Sequence, residues 1–125
     1  MEPIILVNTV IRFIESRIQS NIDYDEMEKA TGFSYRHIRE VFKTYTNIPL
    51  KHYIDQRKAA HIAFDIENSA RSLTDLAADY GFEAYDSFTR LFKRETGLLP
   101  SAYRKKGIRN AQRRLIAMGT YGPVL

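Results

Sequence analysis

The chain has 125 residues and a formal charge of +4; 44% of its residues are hydrophobic and none is cysteine. That length suits one ordinary domain or two small linked units and excludes a large multidomain enzyme, while the lack of cysteine excludes disulfides and thiolate chemistry. Because no run of about 18 apolar residues occurs, the sequence also excludes a membrane-spanning segment and predicts a cytoplasmic protein.

The first 32 residues predict two helices and the break that follows them. Apolar residues recur at helical spacing over residues 4–17, which predicts an amphipathic first helix. Asp23 and Glu26 stand at the spacing of a capping box, and a short second helix follows to about Ala30. Gly32 then ends this helix, because glycine readily adopts the left-handed conformation that terminates helices.

A third helix and a long connector come next. Ser34 is placed to cap a helix, and two helices joined by a tight turn containing glycine are typical of a helix-turn-helix. Pro49 suits the start of a further helix over residues 50–66, which contains neither glycine nor proline. At 1.5 Å per residue this connector is roughly 25 Å long.

The second half of the chain repeats the first. The Gly-Phe pair at residues 32–33 recurs at residues 81–82, and the Phe-Lys pair at residues 42–43 recurs at residues 92–93. The first offset is 49 residues and the second is 50, so the second copy carries one extra residue between these pairs. A duplicated unit of about 50 residues is the simplest explanation.

This repeat predicts the remaining helices and the organisation of the chain. Ser72 opens a short helix that Gly81 ends, and residues 82–95 form a longer one. The fold class that follows is all-α, with about seven helices arranged as two helix-turn-helix units joined by a long central helix. The predicted divisions are residues 1–49 for the first unit, 50–66 for the linker helix, 67–106 for the second unit and 107–125 for a basic tail or the start of a following domain.

The second helix of each unit presents an outward face with the chemistry of major-groove recognition. Arginine can place two hydrogen bonds on guanine, acidic side chains can accept from the cytosine amino group, and serine contacts base edges or phosphates. Two such helices would meet successive major grooves about 34 Å apart, so that one monomer reads both half-sites. In the first unit Tyr35 falls on this polar side. The apolar stripe predicted to face the core consists of Phe33, Ile38, Val41, Phe42 and Tyr45.

The segment YGFEAYDSFTRLFKRETGLLPSAYR at residues 80–104 resembles the signature of the AraC/XylS transcription regulators, whose DNA-binding region has two helix-turn-helix units joined by a long helix. Residues 30–34, the Phe-Lys pair at residues 42–43 and the segment YIDQRK at residues 53–58 fit the same family. The resemblance covers roughly residues 5–106, and the chain is most similar to the small monomeric activators of multidrug and superoxide resistance. It implies a monomeric DNA-binding unit, double-stranded DNA as the partner and, for an activator, RNA polymerase as a further partner.

The resemblance carries the base-contacting role over to seven outward positions. Arg36 replaces a frequent tryptophan of the small activators, and Tyr85-Asp86 replace a polar amide pair, so we expect a different target sequence. Asp86 has a second interpretation, in which it favours the helix dipole and shapes the Arg90 side chain. The seven positions are Arg36, Arg39 and Glu40 in the first unit and Tyr85, Asp86, Ser87 and Arg90 in the second.

Four basic residues are predicted to contact phosphates and so to supply affinity for any DNA sequence. They are Lys43, Lys51, Lys93 and Arg94, and ordinary surface charge is the alternative for each. The charge distribution favours the first unit: residues 31–62 carry +4, residues 63–103 carry −3 and residues 104–125 carry +6. We therefore expect the first unit to bind DNA more strongly, unless the basic tail folds back beside the second.

Catalysis has little support in the sequence. His37, His52 and His61 include no pair at metal-binding spacing, and neither a phosphate-binding glycine loop nor a nucleophile elbow occurs. We therefore expect no enzyme activity, no metal and no cofactor, and histidines that pack against helices or lie on the surface. The competing interpretation is a helical adaptor that binds protein, such as RNA polymerase or a sensor domain, without specific DNA binding.

Residues 107–125 form a basic segment that ends in apolar Pro-Val-Leu. Ile108, Ala111 and Leu115 are spaced for a short amphipathic helix within it. Two interpretations stay open for this tail: a disordered basic arm, or the beginning of a longer regulator whose effector domain follows.

Overall fold

Seven helices make up the fold over residues 2–106, the part of the chain that the computed structural model describes. The all-α prediction and the long central helix are confirmed; the predictions for the tail lie outside the described residues. None of these seven helices is long and apolar enough to cross a membrane. The helices are α1 (Pro3–Ser16), α2 (Tyr24–Thr31), α3 (Tyr35–Thr46), α4 (Leu50–Asn68), α5 (Leu73–Asp79), α6 (Tyr85–Thr96) and α7 (Pro100–Lys106).

The predicted cap and break at the two ends of α2 are both present. The Asp23 carboxylate accepts hydrogen bonds from the backbone N–H groups of Asp25, at 2.9 Å, and Glu26, at 3.3 Å. Gly32 follows the helix with φ +79°, in the left-handed region where a side chain would be strained. The Glu26 carboxylate pairs with Arg17 Nε at 3.0 Å, which ties the end of α1 to α2.

Helix α6 begins three residues later than the sequence predicts. Residues 82–84 were expected to be helical, but Gly81 has φ +80°, and the Phe82 N–H returns to the Ala77 carbonyl at 3.0 Å. Ala84 is extended, and its carbonyl accepts from the Ser87 N–H at 3.1 Å, so the helix starts at Tyr85. The extra residue of the second copy therefore lengthens the turn between α5 and α6 and leaves α6 the same length as α3.

The two second helices differ in their caps, and this difference predicts opposite effects of reciprocal substitutions. Ser34 Oγ accepts from the His37 N–H at 3.2 Å, whereas the equivalent Ala84 has no side chain that could cap α6. We expect Ser34→Ala to lower the free energy of unfolding by about 1 kcal/mol and Ala84→Ser to raise it by a similar amount. Urea denaturation followed by circular dichroism measures both, and shifts of the same sign would contradict the capping argument.

The helices enclose two hydrophobic cores that share α4. Helices α1 to α3 pack around Tyr53 and the start of α4, while α5 to α7 pack around Ile62 and the rest of α4. Tyr53 and Tyr103 are fully buried at equivalent places, with ring centres 5.1 Å from Phe42 and 5.4 Å from Phe92. The repeat in the sequence is therefore a repeat in packing, and α4 is a wall of both units.

Two aromatic residues of α3 lie where the helical stripe does not predict them. Tyr45 was assigned to the core but is 54% exposed, because the chain turns at Asn47 and Ile48 fills the end of the core instead. Tyr35 was assigned to the polar face but is half-buried, with its ring centre 4.3 Å from that of Tyr24 in α2. Both corrections arise from neighbouring segments, which the periodicity of one helix does not report.

An ion cluster joins α1 to the middle of α4. Glu15 accepts a hydrogen bond from Arg57 Nε at 2.6 Å, and its other oxygen lies 2.9 Å from His61 Nε2. Partial burial acts to raise the pKa of Glu15, but the hydrogen bonds and charges of Arg57 and His61 outweigh it and leave the pKa below its usual value. The cluster thus stabilises the folded chain while Glu15 is ionised.

This cluster predicts a pH-dependent stability difference. A carboxyl with a lowered pKa in the folded state contributes stability at pH values above its ordinary 4.5 and loses that contribution as the pH falls further. We expect Glu15→Gln to lower the free energy of unfolding by about 1 kcal/mol at pH 7, a modest figure because the partly exposed pair is screened by water. Between pH 5 and pH 3 the difference should shrink; urea titrations would show it, with exposed Glu83→Gln as the control. A constant difference would contradict this account.

Candidate nucleic-acid interface

The outward face of α3 holds three of the predicted base-contacting residues on one exposed surface. Arg36 Nε lies 3.3 Å from Glu40 Oε1, and the two side chains are 84% and 64% exposed. Such an exposed pair is worth little, so either group can exchange its partner for a base or a phosphate. Lys43 is also exposed, and its ammonium donates to the Asn47 carbonyl at 3.3 Å.

Arg39, the third of them, is supported by an aromatic residue that the sequence analysis did not select. Its guanidinium lies over the Tyr35 ring, 5.4 Å from the ring centre. Tyr35 is in turn fixed by α2, because its N–H donates to Glu28 Oε2 at 2.6 Å and its ring contacts Tyr24. Burial, together with Tyr24, raises the pKa of Tyr35. The i, i+4 spacing of Tyr35 and Arg39 is visible in the sequence. The contact of Tyr24 with Tyr35 is not, because it forms only when the turn at Gly32 brings α2 against α3.

Four of the predicted contact residues border a common groove, and Arg36 is not among its lining residues; the four are Arg39, Glu40, Lys43 and Lys51. The groove is open, has a volume of about 530 Å³, and runs between α3 and the beginning of α4. Pro49 and Leu50 give it an apolar wall, and three cationic side chains stand around it. Those three are Arg39, Lys43 and Lys51.

The outward face of α6 carries the second set of predicted base contacts, and all of them are exposed. Tyr85 is 42% exposed, with its ring centre 5.6 Å from that of Phe88 in the core. The Asp86 main-chain carbonyl accepts from Thr89 Oγ1 at 2.9 Å and from Arg90 Nε at 3.4 Å. Asp86 therefore contacts Arg90 through its main-chain carbonyl. Its carboxylate lies in the first turn of α6, where a negative charge favours the helix dipole. Both features agree with the second interpretation of Asp86, in which it shapes the Arg90 side chain.

Two of the predicted phosphate contacts, one at the start of α4 and one in α6, share a buried carboxylate. Lys51 Nζ and Arg94 Nη2 each lie 2.9 Å from an oxygen of Asp55, whose side chain is only 11% exposed. Arg94 Nε also lies 3.2 Å from Glu95. Both cations keep more than half of their side-chain surface exposed, so Asp55 orients them without enclosing them. Asp55 was not among the predicted site residues, because only basic residues were considered as phosphate contacts. Its i, i+4 spacing from Lys51 is the signal in the sequence that indicates the pair.

The histidines pack as the sequence analysis expected. The His37 ring lies 5.0 Å from that of Phe33, His52 lies 3.6 Å from Glu95, and His61 belongs to the Glu15 cluster. Within residues 2–106 no group of three or more histidine or acidic side chains is placed to hold a metal ion.

Known proteins are similar to this chain over the region that contains the two helix-turn-helix units. Residues 27–106 match a family described as a helix-turn-helix domain. The chain is similar to the regulatory protein SoxS of Salmonella typhimurium, with 31% identity over 101 residues, covering 81% of this chain and 94% of that protein. It is similar to the multiple antibiotic resistance protein MarA of Escherichia coli, with 29% identity over 117 residues, covering 94% and 92%.

Solved structures share the fold. The C-terminal domain of AraT, a response regulator from Geobacillus stearothermophilus, superposes with a TM-score of 0.72 and 16% identity, covering 80% of this chain and 84% of that one. The DNA-binding domain of the transcriptional factor AdpA, solved with a target DNA, gives a TM-score of 0.67 and 22% identity, covering 80% and 89%. At these identities the likeness concerns the fold, which is the tandem arrangement of two helix-turn-helix units.

Proposed function

Because this chain belongs to the AraC/XylS family of transcription regulators, we propose that it binds double-stranded DNA with sequence specificity and regulates transcription, without enzymatic activity. Helices α3 and α6 are the recognition helices and enter successive major grooves. The observation that carries this proposal is the repetition of an exposed polar face, rich in arginine, on the second helix of two equivalent units.

Activation is the favoured direction of regulation. A further relative, AarP of Providencia stuartii, is named an HTH-type transcriptional activator and is 26% identical over 99 residues, covering 79% of this chain and 73% of that protein. An activator needs a surface for the transcription machinery, which makes RNA polymerase the proposed second partner. One chain carries both recognition helices, so the DNA-binding unit acts as a monomer, in the cytoplasm where DNA and polymerase are accessible.

The proposed contacts follow the exposed faces described above. Seven residues address bases, and the two sets fall on the two recognition helices. Four residues address phosphates, and the more basic first unit contributes more of the electrostatic affinity. The base contacts are Arg36, Arg39, Glu40, Tyr85, Asp86, Ser87 and Arg90, and the phosphate contacts are Lys43, Lys51, Lys93 and Arg94.

Selection of bound sites from a random duplex pool tests the proposal directly. We expect enrichment of a site with two half-sites whose centres lie about one helical turn, or roughly 34 Å, apart. The affinity for unselected duplex should fall steeply as salt is raised, because phosphate contacts release counterions. Absence of enrichment, together with no binding to duplex DNA at low salt, would instead support the helical adaptor.

Lys93→Ala predicts a loss of affinity that does not depend on sequence. Lys93 is an exposed residue in the last turn of α6, away from the predicted base-contacting residues at the start of the helix. Its ammonium can therefore reach a phosphate rather than a base. We expect weaker binding to selected and random duplexes by the same factor, and a slope of log K against log salt that is smaller by about 1. Filter binding over a salt series measures both quantities. Lys93→Arg, which keeps the charge, is the control, and a loss restricted to the selected site would refute the assignment.

A further inference from the structure

The two units contact each other directly, through a loop of the first and a turn of the second. Ser20 and Asn21 lie in the loop between α1 and α2, and Gly81 lies in the turn between α5 and α6. A Cβ atom added to Gly81 would stand 3.3 Å from the Asn21 backbone nitrogen and 3.4 Å from the Ser20 Cα. A side chain at position 81 would therefore crowd the Ser20–Asn21 backbone, and it would also be strained because Gly81 has φ +80°.

Lys58, in the middle of α4, lies beneath this contact and bonds to both sides of it. Its Nζ donates to the Ser20 carbonyl at 2.9 Å and to the Tyr80 carbonyl at 3.3 Å. The ammonium is also 5.4 Å from the centre of the Phe82 ring. One acceptor thus belongs to the first unit, and the other carbonyl and the ring belong to the second.

The burial of Lys58 is unusual for a lysine, since only 7% of the residue is exposed. Burial is the main reason why the pKa of Lys58 is lowered, and the charge of Asp55 compensates for it only in part. A buried ammonium is unfavourable unless it is well hydrogen-bonded, so an apolar residue of similar length would suit the core as well or better. A linking role between the units accounts for a charge at this position.

A second link between the two units involves the Tyr80 side chain. The Tyr80 hydroxyl donates to Asp65 Oδ2 of α4 at 2.5 Å. Gln19, which follows α1 in the first unit, lies near the same hydroxyl and acts on its pKa. The α5–α6 turn, from which α6 starts, is therefore attached to α4 and lies beside the first unit.

We propose that Lys58 is a positioning residue that holds α3 and α6 at one separation and orientation, and so determines which spacing between two half-sites the chain accepts. This inference rests on the proposed function, because spacing matters only if both helices contact DNA. With the two units fixed, binding of one half-site places the other helix at its groove, which raises its effective concentration there. With the bridge removed, the second contact becomes weaker and more tolerant of altered spacing.

Lys58→Met tests the bridge, because it keeps the length of the side chain and removes the ammonium. Binding is measured on three duplexes. They are the selected site, a site in which the spacing between the same two half-sites is increased by one or two base pairs, and a single half-site. We expect about a tenfold loss on the selected site, little change on the single half-site, and a smaller ratio between correct and altered spacing. Arg12→Met, which removes one charge from an exposed position of α1, is the matched control.

A distance measurement without DNA separates this inference from the function it rests on. The chain has no cysteine, so spin labels attach only at Thr44→Cys in α3 and Ser87→Cys in α6, both exposed positions. We expect a narrow distribution of distances in the parent chain and a broader one with Lys58→Met. Gln19→Ala, at an exposed position, is the second variant and should broaden it in the same direction.

The outcomes divide clearly. An unchanged distance distribution in both variants, or an unchanged spacing preference in folded Lys58→Met, would overturn the role of Lys58 and leave DNA binding intact. An equal loss on all three duplexes would overturn it too, because that result indicates a general loss of stability. Failure of the parent chain to bind any duplex would overturn the proposed function and this inference together.

Discussion

Phe92→Ala is expected to lower the free energy of unfolding by about 3 to 5 kcal/mol. Phe92 is fully buried in the second core, and its ring meets the edge of Tyr103 at a distance of 5.4 Å between centres. Truncation removes the burial of a large aromatic side chain and leaves a cavity that α4 and α7 cannot close without moving. The total free energy of unfolding of a small domain is about 5 to 15 kcal/mol, so this loss is a large fraction of the stability.

The measurement is urea or thermal denaturation followed by circular dichroism. Because α4 belongs to both cores, we expect one cooperative transition shifted to lower denaturant rather than the separate loss of the second unit. Leu99→Ala, at a residue that is 45% exposed, is the control and should change stability by much less. A change below about 1 kcal/mol for Phe92→Ala would mean that the second core is not packed as described.

Arg39→Ala is expected to weaken binding to the selected site by about 1 to 3 kcal/mol, or roughly 5- to 150-fold, and to relax the preference for one base. The exposed guanidinium lies over Tyr35, which limits its freedom before DNA arrives and favours a bidentate contact. Arg90→Ala should act in the same way on the other half-site, because Arg90 is exposed on α6 and held by the Asp86 carbonyl.

Competition binding between the selected duplex, its single-base variants and random duplex measures this prediction. Lys43→Ala is the comparison within the same helix, because removal of a phosphate contact should lower the affinity by the same factor on all duplexes. Discrimination at one base position should fall for Arg39→Ala and persist for Lys43→Ala. If Arg39→Ala and Arg90→Ala weakened selected and random DNA by equal factors, neither arginine would be a base contact.

Much of the fold could be predicted because its signals are local. The caps at Asp23, Ser34 and Ser72 and the breaks at Gly32 and Gly81 act within a few residues of themselves, so short stretches of sequence report them. The predicted start of α6 was wrong because no such local signal marks it. Ala84 provides no capping side chain, and the turn before it is closed by a backbone hydrogen bond between Phe82 and Ala77.

The candidate site was predicted as a set of positions but not as an arrangement. An outward position on α3 or α6 follows from helical periodicity, which is why all the proposed base contacts are exposed. Other groups that shape the site come from elsewhere in the chain: Tyr24 from α2 contacts Tyr35, over which Arg39 lies, and Asp55 from α4 pairs with Arg94, a proposed phosphate contact. Contacts of this kind depend on how helices pack, and the periodicity of one helix carries no information about its neighbours.

By itself the sequence determined helices α1 to α6, their tandem repeat and the two polar faces, because spacing along the chain is enough to define amphipathic helices and their ends. Helix α7 was included only in the expected number of about seven. Only the tertiary structure decided how the two units stand relative to each other. That arrangement depends on the close approach of Gly81 to Ser20 and Asn21 and on the buried Lys58 between them, contacts that join residues 22 to 61 positions apart in the chain. Long-range contacts of single side chains leave no periodic pattern, so folding of the whole chain is needed to reveal them.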